Sequence, residues 1–201
     1  MSALEKPFYT PEEYLEQERK ADFKSEYYGG QIFAMSGGTA RHGVIGGNVI
    51  GLIWAQLGGG SCTVLSSDVK IKVNPTGLFT YPDVSVVCGE IKYHDEAEDV
   101  VENPALVVEV LSPSTQNYDR GEKFLHYQSI DTLTDYLLVS QNVMRVEHFT
   151  RQSDDQWLFT VYHGPEAVIK IASIGCEMRL IDVYRAVKIK VEKNPLTLHR
   201  S

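Results

Sequence analysis

The chain has 201 residues, 27 of them acidic and 19 basic, for a formal net charge of −8. That length suits one domain, residues 1–201, with a core at 10–190 that needs no staples. The charge excludes a protein that binds nucleic acid through its overall balance alone. The amino terminus lacks an apolar leader and no run of about 18 uncharged apolar residues occurs, so the chain is expected to be neither secreted nor membrane-spanning.

Thr10-Pro11 followed by EEYLEQERK places a capping residue, a helix-starting proline and first-turn acids in order, which predicts a short helix. FKSEYYGGQIFAMSG carries two β-rich runs about Gly29-Gly30, a hairpin with Glu26 on its first strand. From Ala40 to Leu57 the apolar residues Val44, Ile45, Val49, Leu52, Ile53 and Leu57 keep a helical period, and three glycines end it. VLSSDVKIKV reads as a strand containing Asp68, and YPDVSVVCG as a strand led in by Pro82-Asp83. KYHDEAEDVVENP reads as a solvated acidic connector, and LVVEVL after it as the most buried strand. QNYDRGEKFLHYQSI is read as one helix with Phe124, Leu125, Tyr127 and Gln128 about its apolar stripe. DYLLVSQ, MRVEHFTR and WLFTVYHG then form a meander. The end of the chain, KNPLTLHRS, is read as a frayed tail over 191–201. Together these elements predict an α+β (α/β-like) domain with helices flanking one sheet. The three cysteines, Cys62, Cys88 and Cys176, are far apart and lack CxxC spacing. Neither a disulfide framework nor a zinc knuckle is expected, and a reducing cytoplasm fits.

Glu109 interrupts the apolar run LVVEVL. A buried ionised carboxylate costs several kcal/mol unless it is paired, hydrogen-bonded or bound to a metal. Two readings stay open: a structural carboxylate held by a buried Arg, Lys or Tyr, or a metal ligand. If the strands of Asp83 and Glu109 pair, two carboxylates stand side by side, a donor set for magnesium or manganese. Such an ion lowers the pKa of a bound water and polarises a phosphoryl oxygen, so phosphodiester hydrolysis is the matching reaction.

PDVSVV, NPALVVEVLSPST and DRGEKFLHY, in that order, resemble the Uma-type restriction endonuclease family of the PD-(D/E)xK nuclease superfamily. SEYYGGQI is similar to that family's Glu-containing hairpin, ARHGVIGGNV to its His-containing helix start and SSDVKIKV to its Asp-containing strand. The resemblance implies a restriction-endonuclease-like central mixed sheet flanked by helices, with an N-terminal helix and hairpin. It implies a magnesium- (or manganese-) dependent endonuclease acting on DNA, with Asp83 and Glu109 as metal ligands, and homodimerisation as is frequent in the superfamily. One position departs from the pattern: the superfamily lysine two places after the second acid is Leu111 here. Lys123 on the following helix is then the residue to supply the ammonium, and Glu26 a third acid. His42, Asp68 and Tyr127 are possible supporting residues.

Each also has an ordinary reading. Asp83 after a proline can cap a turn, and Lys123 can pair with Asp119 on an exposed helix face for about 0.3–0.5 kcal/mol. His42 can be a helix-terminus histidine, and Tyr127 a core aromatic with a satisfied hydroxyl. The acidic balance opposes a DNA substrate, and a cluster such as Arg41, Lys70, Lys72, Arg120 and Lys123 would have to overcome it. The competing function is a catalytically inactive nuclease-like binding or assembly module. A metal-dependent phosphoesterase for a small nucleotide is a third. If Glu109 stands against a basic side chain with no room for a metal, the enzyme reading fails.

Overall fold

A computed structural model of the protein describes residues 7–189. The frayed tail expected over 191–201 lies outside the described residues. Helix α1 (Pro11–Glu18) opens with the expected capping box: the Thr10 hydroxyl accepts from the Glu13 backbone N–H, and the Glu13 carboxylate accepts from that of Thr10. Strands β1 (Ser25–Tyr28) and β2 (Gln31–Ala34) form the hairpin. Its turn needs positive φ at both central residues, and Gly29 (+56°) and Gly30 (+78°) supply it. Helix α2 (Ala40–Leu57) has the bounds the apolar period predicts.

Six strands make the central mixed sheet: β3 (Cys62–Ser66), β6 (Val84–Cys88), β8 (Leu106–Leu111), β9 (Asp135–Ser140), β10 (Arg145–Ser153) and β11 (Gln156–His163), in the order β11-β10-β9-β8-β6-β3. Strands β8 and β9 run parallel, the other neighbours antiparallel. The α2 face of this sheet packs Ile45, Val49 and Ile53 on Val84, Val86 and Val108. On the opposite face Phe124 and Tyr127 pack on Val107, Leu111 and Tyr136. Coverage of both faces explains why β8 is apolar throughout except at Glu109, each buried aliphatic side chain contributing about 1.5–3 kcal/mol.

Beside the single sheet expected there is a second, five-stranded one, ordered β2-β1-β5-β4-β7, with β4 (Lys70–Val73), β5 (Leu78–Thr80) and β7 (Val100–Val101). Several expectations are corrected here. VLSSDVKIKV is two strands in different sheets, and Asp68 sits in the turn between β3 and β4. The acidic connector is not simply solvated: Asp95 and Asp99 both hold Arg19, and Val100 and Val101 are fully buried in β7. The single helix expected after β8 is two, α3 (Gln116–Arg120) and α4 (Glu122–Gln128), broken at Gly121, whose backbone leaves the helical region. Within α4 the buried residues are Lys123, Phe124 and Tyr127, and Leu125 is exposed. The hairpin of β12 (Val168–Ile171) and β13 (Cys176–Arg179), and the closing helix α5 (Leu180–Val183), also seat their buried residues in the α2-side core. Finally, Cys62 and Cys88 face each other across β3 and β6 and form a disulfide, leaving Cys176 free and buried. Residues 26 apart in sequence became cross-strand neighbours through strand pairing, which CxxC spacing does not register. A disulfide is at odds with the reducing compartment expected from the cysteine spacing. No helix among the described residues is long and apolar enough to cross a membrane.

Candidate active site

Strands β6 and β8 pair with Val84 opposite Val108. Asp83 stands at the bend just before that pair, and Glu109 follows Val108 in β8, so the pairing brings the two carboxylates to the same end of these strands. The Val110 backbone N–H donates to Asp83 Oδ2 at 2.7 Å, and His42 Nε2 of α2 lies 3.2 Å from the same oxygen. His42 is placed by the first turn of its helix, where its own N–H donates to the capping Thr39 hydroxyl.

Glu109 is 5% exposed. Its Oε1 accepts from the Tyr127 hydroxyl at 2.9 Å and lies 2.9 Å from Lys123 Nζ. The four-residue spacing of Lys123 and Tyr127 on α4 brings both tips to one carboxylate. Lys123 is itself 4% exposed, 3.1 Å from Glu26 Oε1 and 3.9 Å from Asp119 Oδ1. The Thr80 hydroxyl of β5 donates to Glu26 Oε1, so the hairpin acid is held by the second sheet.

One ammonium therefore serves three buried or nearly buried carboxylates. The consequence appears in their protonation. Burial, together with the nearby Asp119 and Asp83 charges, pushes the Glu109 carboxyl up to about 8 against the opposing pull of Lys123. Burial raises Asp119 too. The surrounding carboxylates outweigh the desolvation of Lys123 and hold its ammonium well above its usual range. The His42 imidazole is raised by its bond to Asp83.

The sequence-predicted residues thus divide. Asp83, Glu109, Lys123, Glu26, His42 and Tyr127 are brought together, whereas Asp68 pairs with Lys24 at 2.6 Å with its side chain 80% exposed. Tyr127 is both a fully buried core aromatic and a ligand of the cluster. The expectation of an exposed Asp119–Lys123 pair is corrected: both are buried, Asp119 on α3 and Lys123 on α4. Asp119 and Thr80 were not singled out as site residues, and only a buried-face reading of α3 and α4 as separate helices would have found the first. The supposed basic cluster is dispersed: Lys70 pairs with Asp99, Lys72 with Glu102 and Arg120 with Glu147.

The donor chemistry fits a hard divalent cation. Carboxylate oxygens are what such ions take, the cluster sets the four carboxyl groups of Asp83, Glu109, Glu26 and Asp119 about one ammonium and one imidazole, and magnesium needs only one or two protein carboxylates beside its waters. The contacts of Asp83 named here fall on Oδ2, and those of Glu109 and Glu26 on Oε1. Among the described residues no three His, Cys, Asp or Glu side chains already converge as a metal site.

This chain matches the family model of Uma2, described as "Putative restriction endonuclease", over residues 11–181. It is 39% identical over 181 residues to the uncharacterized protein slr1290 of Synechocystis sp., covering 90% of this chain and 94% of that one. A second uncharacterized Synechocystis protein, sll1609, is 36% identical over 163 residues, covering 81% and 92%. The fold is similar to the crystal structure of a nuclease, so described with the same qualifier, of the DUF820 group from Anabaena variabilis: TM-score 0.68 and 17% identity over 86% of this chain and 95% of that one. With most of its length matched by the family model and by relatives above one-third identity, this chain belongs to the Uma2 family of restriction-endonuclease-like proteins.

Proposed function

We propose that the protein is a magnesium- or manganese-dependent endonuclease that hydrolyses phosphodiester bonds of DNA. The observation that carries this reading is the pairing of β6 and β8, which brings Asp83, just before β6, to the end of the sheet where Glu109 lies, while α4 closes Lys123 onto the latter. In this reading Asp83 and Glu109 hold the ion. When bound, the ion supplies Lewis acidity to a phosphoryl oxygen and a more acidic water.

The chain's own groups do the rest. Lys123 keeps its proton, so it serves as donor and positive charge and not as a base. It stands where the lysine missing at Leu111 is replaced in space, able to orient the attacking water and steady charge developing on phosphorus. Glu26, fixed by Thr80, and Asp119 hold that ammonium in place. Tyr127 fixes one oxygen of Glu109, and His42 one oxygen of Asp83. A homodimer belongs to the same reading. Strand β11 is an edge with no charged residue between Gln156 and Tyr162 and with Leu158 and Phe159 half exposed, a surface that pairing would cover.

The contact between Lys123 and Glu109 also favours a second reading, in which the ion cluster is purely structural and the domain binds or assembles without cutting. The test is cleavage of supercoiled, linear, branched and single-stranded DNA at low salt with magnesium or manganese, by wild type and Glu109→Gln. Metal-dependent cutting that the substitution abolishes supports the nuclease. Cutting that survives it removes Glu109 from the reaction, and no cutting on any substrate favours the structural reading.

A further inference from the structure

The basic residues of this acidic chain are largely neutralised. Arg19 is held by Asp95 and Asp99, Lys24 by Asp68, Arg120 and Arg145 by Glu147, and Arg179 and Arg185 by Asp182. Among the described residues Arg41, Lys92, Arg151, Lys170 and Lys188 have no carboxylate partner, and of these Arg41 and Lys188 meet in one open cleft, lined also by Asn142, Val143, Val187 and Ile189. Among the described residues no acidic side chain lines it. Arg41 is positioned there by a neutral group: its Nη1 donates to the Gln141 carbonyl at 3.1 Å, while the buried Gln141 side chain accepts from the Thr39 hydroxyl at 3.0 Å. One nitrogen is thereby anchored, and the guanidinium keeps its full charge and its other donors.

We infer that Arg41 and Lys188 form a binding site for the phosphodiester backbone of a nucleic acid, holding two phosphates beside the catalytic cluster. The inference rests on the nuclease reading for its choice of ligand. It answers the objection that a chain of net charge −8 repels its substrate. Positive charge that is paired internally is spent on the fold, and a local pair left without counter-charge attracts an anion even on an acidic protein. The placement agrees with this, since Arg41 precedes His42, whose imidazole lies on Asp83. Contacts of this kind fix the strand's position and carry no base information, so the site predicts binding with little sequence preference.

The test is fluorescence anisotropy of labelled duplex and single-stranded DNA, with calcium in place of magnesium, over a salt series. Wild type is compared with the double variant Arg41→Gln/Lys188→Gln and with a control of equal charge change, Lys92→Gln/Lys170→Gln, two exposed lysines outside the cleft. The double variant is expected to lose at least about tenfold in affinity at low salt. Its slope of log affinity against log salt should shrink by about 1.8 on duplex or about 1.4 on single strands, two phosphates' worth, while the control stays near wild type. Wild-type affinity and slope in the double variant, an equal loss in the control, or a wild type that binds neither DNA would each overturn the inference. Cleavage with magnesium separates this from the catalytic reading. Binding that depends on Arg41 and Lys188 without any cutting keeps the site and sinks the nuclease; cutting that the double variant performs as well as wild type sinks the site alone.

Discussion

Glu109 and Asp135 are buried carboxylates on adjacent parallel strands, β8 and β9, near opposite ends of them. Their surroundings differ in kind. Asp135 is saturated: His148 Nε2 lies 2.7 Å from Oδ1, the Thr134 hydroxyl donates to Oδ2 at 3.0 Å, and the Ser173 hydroxyl donates to Oδ2 as well. These partners outweigh burial and hold its carboxyl below the usual range. Glu109 has one oxygen engaged, shares its ammonium with Glu26 and Asp119, and is pushed up to about 8. A carboxylate that serves only the fold is satisfied until it ionises easily. One left short of positive charge in a cluster of acids is, in the proposed reading, the place that receives a cation.

The largest effect that would sharpen this contrast is on catalysis. Glu109→Gln and Asp83→Asn should each lower DNA cleavage by more than about 100-fold, beyond the 10–100-fold typical of residues that merely orient a metal ligand. Asp135→Ala should leave the specific activity of the folded fraction intact and instead cost about 3–5 kcal/mol in urea denaturation, as expected for breaking a buried pair. If the two phenotypes were exchanged, the contrast would be broken.

Lys123→Met comes next, because it strips three carboxylates of their shared cation. The variant should melt well below wild type without divalent ions and regain much of the loss when manganese is added, measured by thermal denaturation with and without the ion. A variant that manganese leaves equally unstable would show that the acids are not arranged to take an ion.

The pH dependence is a smaller effect. Glu109 has a folded-state value near 8 and an ordinary unfolded value of 4.5, so the folded state binds the proton more tightly. Its contribution is fully present below about 4.5 and is lost as pH rises through about 8. His42, also raised, acts in the same direction from 6.5 upward. Wild-type stability without metal should therefore decline between these limits, and Glu109→Gln should flatten the decline. Asp135, being lowered, contributes stability above its ordinary 3.8 that is lost only as pH falls through its folded value, so Asp135→Ala should leave the neutral-range slope unchanged. The smallest effect expected is at Asp68, whose exposed pair with Lys24 should make Asp68→Asn worth less than about 0.5 kcal/mol in denaturation and nothing in cleavage.

The same contrast explains how far the sequence could be read. Elements with strong local periods were legible: α2 between Thr39 and Gly58, the apolar β8, the three-stranded meander and the Gly29-Gly30 hairpin. Glu109 was legible for the same reason, as a charge that breaks an apolar run. What failed depended on contacts distant in sequence. Cys62 meets Cys88 only because β3 pairs with β6, and Asp99 is drawn to Arg19 from 80 residues away. The short strands β5 and β7 and the hairpin β12–β13 carry too few residues for a period to emerge. Asp119 reads in the sequence only as an exposed partner of Lys123, because Gly121 resets the helix and a helical count carried across it puts the wrong residues on the buried face.

The most direct test of the central claim is calorimetric titration of manganese into metal-free wild type, Glu109→Gln and Asp135→Ala. The account predicts a bound ion in wild type and in Asp135→Ala, lost or weakened more than about tenfold by Glu109→Gln. A wild type that binds no ion, or a Glu109→Gln variant that binds it as tightly, would contradict the assignment of this cluster as a metal-dependent active site.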